Sequence, residues 1–157
     1  MRLRSADGAA VELSIKRYQF GSSNEPRDWD ANWLVVAGVV GLPDGSMWSF
    51  EDPCLTTWEA RELLDWLRQV HAGHVQPSIW NSEEGRLLAF TEPNIAFSLA
   101  VRSEDSVTIR AHLSLESGPP SEDGELFDSF VPLELSSRAL MDAIGDWETA
   151  LRAFPVR

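Results

Sequence analysis

Ile95-Ala96-Phe97-Ser98-Leu99-Ala100-Val101, a polar Ser103-Glu104-Asp105, and then Val107-Thr108-Ile109-Arg110-Ala111-His112-Leu113 form the stretch that decides the fold. Apolar residues fall at every second position on both sides of the turn, the period of a strand with one buried face. Two such runs joined by a short polar turn read as an antiparallel hairpin. In this reading Arg110, His112 and Glu116 stand on the wet face as a solvated ladder.

The same period extends outward in both directions. Leu88 and Phe90 begin a strand ahead of the hairpin, and Phe127, Ser129, Val131, Leu133 and Leu135 follow it, with Pro132 marking an edge. Near the start, Val11, Leu13 and Ile15 alternate with polar residues. The parity then switches to Tyr18 and Phe20, which predicts a bulge at Lys16-Arg17. Trp33 to Val40 is apolar at both parities, as in a central strand covered on both faces. Pro43-Asp44-Gly45 turns the chain back into a strand carrying Trp48 and Phe50.

Two helices punctuate these strands. Thr56-Thr57-Trp58-Glu59 is a capping box, because the Thr56 hydroxyl can accept from the Glu59 N–H while the carboxylate reaches back. Leu63, Leu67 and Val70, widened by Leu64 and Trp66, give the buried stripe; Glu62 and Asp65 join Arg61 and Arg68 on the wet side. Gly73 supplies a left-handed stop and Pro77 prevents resumption, so the helix spans about 57–71. Ser136 or Ser137 caps a second helix near 137–153, striped by Leu140, Ile144, Trp147, Leu151 and Phe154. The order βββαββββα, without βαβ alternation, predicts one α+β domain over residues 1–157: a curved, mostly antiparallel sheet of about seven strands with two helices.

The composition narrows the function. With 13 basic against 25 acidic residues the formal charge is −12, which repels phosphate backbones and argues against nucleic-acid binding. A basic protein partner is favoured instead. One cysteine, Cys54, permits no intrachain disulfide and no thiolate zinc site. The longest apolar run, 33–40, falls well short of the roughly 20 residues that span a bilayer, and the first residues do not read as an export signal. These features suggest a cytoplasmic protein.

Candidate chemistry is sparse. His71 and His74 have a spacing compatible with a metal, but they equally complement the helix C-terminus with no metal present. The acids of 122–128 lack the order of a calcium loop. Cys54 precedes a helix N-terminus, which favours a thiolate, while Asp52 opposes it. No nucleophile elbow occurs, and neither an enzyme nor a cofactor is expected. Two acidic loops, 25–30 and 116–128, lack a core-forming pattern. Asp28, Trp29, Asp30, Glu116, Glu122, Asp123, Glu125 and Asp128 are therefore the candidate partner-binding residues, with Trp29 as anchor. The plainer alternative is a pair of solvated loops.

Several phrases together carry a family likeness. They are Arg17-Tyr18-Gln19-Phe20, Asp30-Ala31-Asn32-Trp33-Leu34, Asp52-Pro53-Cys54-Leu55-Thr56-Thr57-Trp58-Glu59, Glu92-Pro93-Asn94-Ile95-Ala96-Phe97 and His112-Leu113-Ser114-Leu115-Glu116. In this order the chain resembles the WapI-type immunity proteins of bacterial polymorphic toxin systems, from about residue 3 to 155. The resemblance implies a protein that binds a cognate toxin domain and blocks it. It implies no catalytic residues.

Overall fold

The alternating runs fold into two sheets. In the computed structural model, which describes residues 1–21, 28–80, 86–120 and 125–157, the first half comprises β1 (Arg2–Arg4), β2 (Ala10–Tyr18), β3 (Trp33–Gly41), β4 (Met47–Thr56) and α1 (Thr57–His71). The second half comprises β5 (Leu88–Ala89), β6 (Ile95–Arg102), β7 (Ser106–Leu113), β8 (Phe130–Ser136) and α2 (Ser137–Leu151). Each half is a four-stranded antiparallel meander, β1-β2-β3-β4 and β5-β6-β7-β8. The α+β class holds. The single sheet of about seven strands is corrected, among the described residues, to eight strands in two sheets. The added strand is β1, which at three residues is too short to display a period; the expected strand at Leu88 is β5.

Each meander runs directly into its helix. Thr56 ends β4 and caps α1 through the expected box, and Ser136 ends β8 and accepts from the Ala139 N–H. The buried Ala60, Leu63 and Leu67 of α1 and Leu140, Ala143 and Trp147 of α2 occupy the same places counted from each helix start. The order ββββα thus occurs twice. α1 stops at the expected Gly73, whose φ is +81°, and α2 ends at Leu151, slightly earlier than its stripe suggested.

One buried cluster draws on both sheets and both helices, including Leu3, Leu13, Leu34, Leu67, Phe97, Ile109, Leu133 and Trp147. Trp147 is fully buried, and its indole N–H donates to the Ala60 carbonyl at 2.8 Å, fastening α2 to α1. Trp48 and Trp66, also expected inside, are half-buried and pack against the cluster's rim. The bulge appears as a register shift between Ile15 and Arg17. Pro132 lies in β8, which closes its sheet's order as an edge strand. Gly38 is required for packing: a Cβ there would meet the Phe50 ring at 2.1 Å.

Two expectations about sheet faces are corrected. β3 is not covered throughout, because Val39 is 41% exposed. Val35 on the same face is buried, where Arg17 and Glu51 pair at 2.6 Å from the strands on either side. The supposed wet face of the β6–β7 hairpin is covered near its centre. The segment following α1 crosses it: the Ser78 N–H donates to the Leu99 carbonyl at 2.9 Å, Arg110 donates to the Ser78 carbonyl at 3.1 Å, and the Trp80 ring lies 4.4 Å from that of His112. His112 and Ser98 are consequently buried.

Truncating Trp147 to Ala removes the contact that unites the helices and leaves a cavity. It is expected to cost about 3–5 kcal/mol in urea denaturation; a loss under about 1 kcal/mol would show that α2 does not depend on it.

Candidate partner-binding site

The site is built up from Asn32. This fully buried side chain makes four hydrogen bonds: Nδ2 donates to the carbonyls of Asp28 (2.8 Å) and Arg157 (3.0 Å), and Oδ1 accepts from Thr57 Oγ1 (2.8 Å) and the Arg157 N–H (2.9 Å). Both donors of the amide and its carbonyl oxygen are occupied. One residue thereby fixes the turn before β3, the first residue of α1 and Arg157. Asp28 Oδ1 also accepts from the Asp30 N–H at 3.0 Å, tightening the turn locally.

On this base Trp29 points outward. It is 52% exposed, and one face of its ring stacks on Trp58 of α1, centroids 5.0 Å apart and planes inclined by 28°. Asp28 and Asp30 flank it. Beyond Trp58 an open groove of about 520 Å³ is lined by Arg61, Glu62, Asp65, Trp66, Gln69 and by Leu88 of β5. Asp65 pairs with Arg68 at 3.5 Å, and Arg68 with Glu148 at 3.1 Å. Among the described residues, Asp28, Asp30 and Glu62 belong to no ion pair.

A second acidic group lies beyond the first turn of α1. The Thr91 N–H donates to Glu59 Oε1 at 2.7 Å, which brings Glu92 close to that turn. The buried Asn94 donates to Asp52 Oδ2 (3.3 Å) and Glu116 Oε2 (3.1 Å). Burial, with Glu116 and Glu92 nearby, holds the Asp52 carboxyl above its usual range. Glu116 is exposed on the 3-10 turn Leu115–Ser117, anchored where Trp48 Nε1 donates to the Ser117 carbonyl at 2.9 Å.

Glu125 and Asp128 stand exposed in a neighbouring turn. Phe127, expected to open a strand, lies in this turn at φ +68°. Its N–H donates to Ser114 Oγ (2.7 Å) and its carbonyl meets His112 Nδ1 (2.7 Å), a clamp that holds this unfavourable conformation.

The sequence-predicted residues therefore fall into two groups. Asp28, Trp29 and Asp30 share one turn; Glu116, Glu125 and Asp128 share two adjoining turns. Glu122 and Asp123 lie outside the described residues. Among the described residues, no hydrogen bond, ion pair or ring contact joins the two groups directly. Trp58, Glu62, Asp65, Trp66 and Asp52 add to the picture, and sequence reasoning had placed none of them at a binding site. The spacing of residues 58, 62, 65 and 69 along one helical stripe was the available signal.

His71 Nε2 lies 3.1 Å from Ser137 Oγ, and no metal-holding group of three or more His, Cys, Asp or Glu occurs among the described residues. Burial, aided by Asp52, pushes the Cys54 thiol up to about 12, leaving it protonated and unsuited to attack near neutral pH. No helix among the described residues is long and apolar enough to cross a membrane.

Burial favours the neutral form of His112. Donation from Nδ1 to the Phe127 carbonyl leaves Nε2 to accept from Ser98 Oγ at 2.9 Å, between the rings of Trp80 and Phe130. Burial lowers its pKa, with Arg110 acting in the same direction, against the opposing pull of the Phe127 carbonyl and Asp128. The unfolded chain thus binds this proton more readily. The His112 contribution to stability is complete above about pH 6.5 and is lost as pH falls from there through the lower folded value. Urea midpoints measured near pH 7.5 and about pH 5.5 should differ less for His112→Gln than for the parent. Equal differences would remove His112 from the account.

The model of the Immunity protein WapI-like family matches residues 2–155 of the chain. No curated protein matches it.

Proposed function

Since the chain belongs to the WapI-like immunity protein family, we propose that it protects its host by binding a cognate toxin domain directly and non-covalently. The family match across residues 2–155 carries this reading. The protein acts as a single cytoplasmic domain, without catalysis and without a cofactor. Its net charge of −12 suits a basic toxin, whose encounter it accelerates by long-range attraction. In this reading Asp28, Trp29 and Asp30 form one part of the interface, and Glu116, Glu122, Asp123, Glu125 and Asp128 form another. The charges govern the association rate; Trp29 governs residence.

Co-expression provides the test. The chain should rescue growth of cells producing its cognate toxin domain, and the two should co-purify. Reversing Glu125 and Asp128 to Lys, both exposed, should slow association and flatten its dependence on salt while leaving folding intact. Rescue without any physical complex would overturn direct binding, and kinetics unchanged by the reversals would place the interface elsewhere.

A further inference from the structure

We infer that the Trp29 turn and the adjoining groove between α1 and β5 seat an arginine-bearing segment of the partner, with the guanidinium stacked on the open face of Trp29. This inference rests on the reading of the partner as a basic toxin domain and names the chemistry that the site selects.

The aromatic surface is incomplete in the free chain. Trp58 covers one face of Trp29, while Trp29 remains 52% exposed beside Asp28 and Asp30. Tryptophan is the strongest aromatic partner for a cation, and a planar guanidinium both stacks on the ring and forks toward carboxylates. Asp28 and Asp30, which flank Trp29, belong to no ion pair among the described residues, so acceptors for such a fork are present; Glu62, likewise in no ion pair among them, lines the adjoining groove. Trp58, Trp66 and Leu88 supply apolar contacts for the stem and neighbouring side chains of the segment. Among the described residues, Arg61 is the only cation lining the groove, beside Glu62 and Asp65.

The chain already uses this pairing beside the site. The Arg157 guanidinium lies 3.3 Å from the Tyr18 ring centroid, and Arg157 is tied to Asn32 beneath the Trp29 turn. Asn32 fixes the turn before any partner arrives, so little ordering entropy is lost on docking. Lysine, a strongly hydrated point charge, matches the flat ring and paired carboxylates less well.

Two arms test this on the full-length chain. In the first, N-acetyl-arginine amide, N-acetyl-lysine amide and N-acetyl-citrulline amide are titrated while the indole N–H resonances are followed by NMR. Arginine should shift the Trp29 and Trp58 signals saturably, lysine less, and neutral citrulline hardly at all. Shifts absent from both indoles, or equal for citrulline and arginine, would overturn the inference. In the second, the toxin domain against which the chain protects cells in co-expression is titrated against Trp29→Ala and Glu62→Arg. Affinity should fall about 30-fold for the first and about tenfold for the second. Glu62 is exposed, so its variant keeps the test valid even if Trp29→Ala were to disturb folding.

A toxin that binds both variants as tightly as the parent overturns the groove and leaves the immunity reading standing. A parent chain that binds no toxin overturns the immunity reading instead, and the first arm then decides by itself whether the groove takes a guanidinium.

Discussion

The Trp147 indole, fully buried on α2, donates its N–H to the Ala60 carbonyl of α1 2.8 Å away, and the arrangement of the two halves turns on that contact. Each ββββα half presents its helix at the same phase, so a single large side chain can hold both together. A buried indole needs a partner for its N–H, and here the neighbouring helix provides it. With α1 held this way, Thr57 is in place to donate to Asn32. Asn32 in turn sets the Asp28–Trp33 turn and Arg157. Packing energy at the centre thus becomes positional accuracy at the surface, and a half-exposed Trp29 stands in a defined orientation.

Buried polar groups repeat this pattern elsewhere. Glu59 closes the cap of α1 and also accepts from Thr91, joining α1 to the second half. Asn94 bridges Asp52 of β4 and Glu116 of the 3-10 turn. His112 and Ser114 grip Phe127 by its carbonyl and its N–H. All of these residues except Thr91 and Phe127 lie in the phrases through which the chain resembles the immunity family. Those phrases therefore describe fasteners between elements, and the acidic side chains that face solvent sit on the turns the fasteners hold. Unsatisfied, each such buried group would cost roughly 1–3 kcal/mol, so geometry here is tightly specified.

Much of the architecture is legible in the chain because its signals are local. The capping box at Thr56, the Gly73 stop, the bulge near Arg17 and the edge Pro132 are each written in a few adjacent residues. The division into two sheets is not local. It depends on β1, where Leu3 alone marks a buried strand, and on a doubling of the ββββα order that leaves no short period to detect. His112 escapes sequence reading for the same reason. Its alternation places it correctly on the outward face of β7, yet burial comes from Trp80 and Phe127, which are distant in sequence. At the candidate site, Trp29 and its flanking acids stand out as a loop without core phase. Trp58 and Glu62 do not, because a helix's wet stripe looks alike whether it faces water or a partner.

Amide hydrogen exchange of the chain, free and bound to its toxin domain, tests the central claim most directly. The account predicts that binding slows exchange around Asp28–Asn32, the first turns of α1 and the Leu115–Ser117 turn, with the inner strands β3 and β7 unchanged. Slowing confined to the exposed face of β1, β2 and β3, with Asp28–Asn32 exchanging as in the free chain, would contradict it.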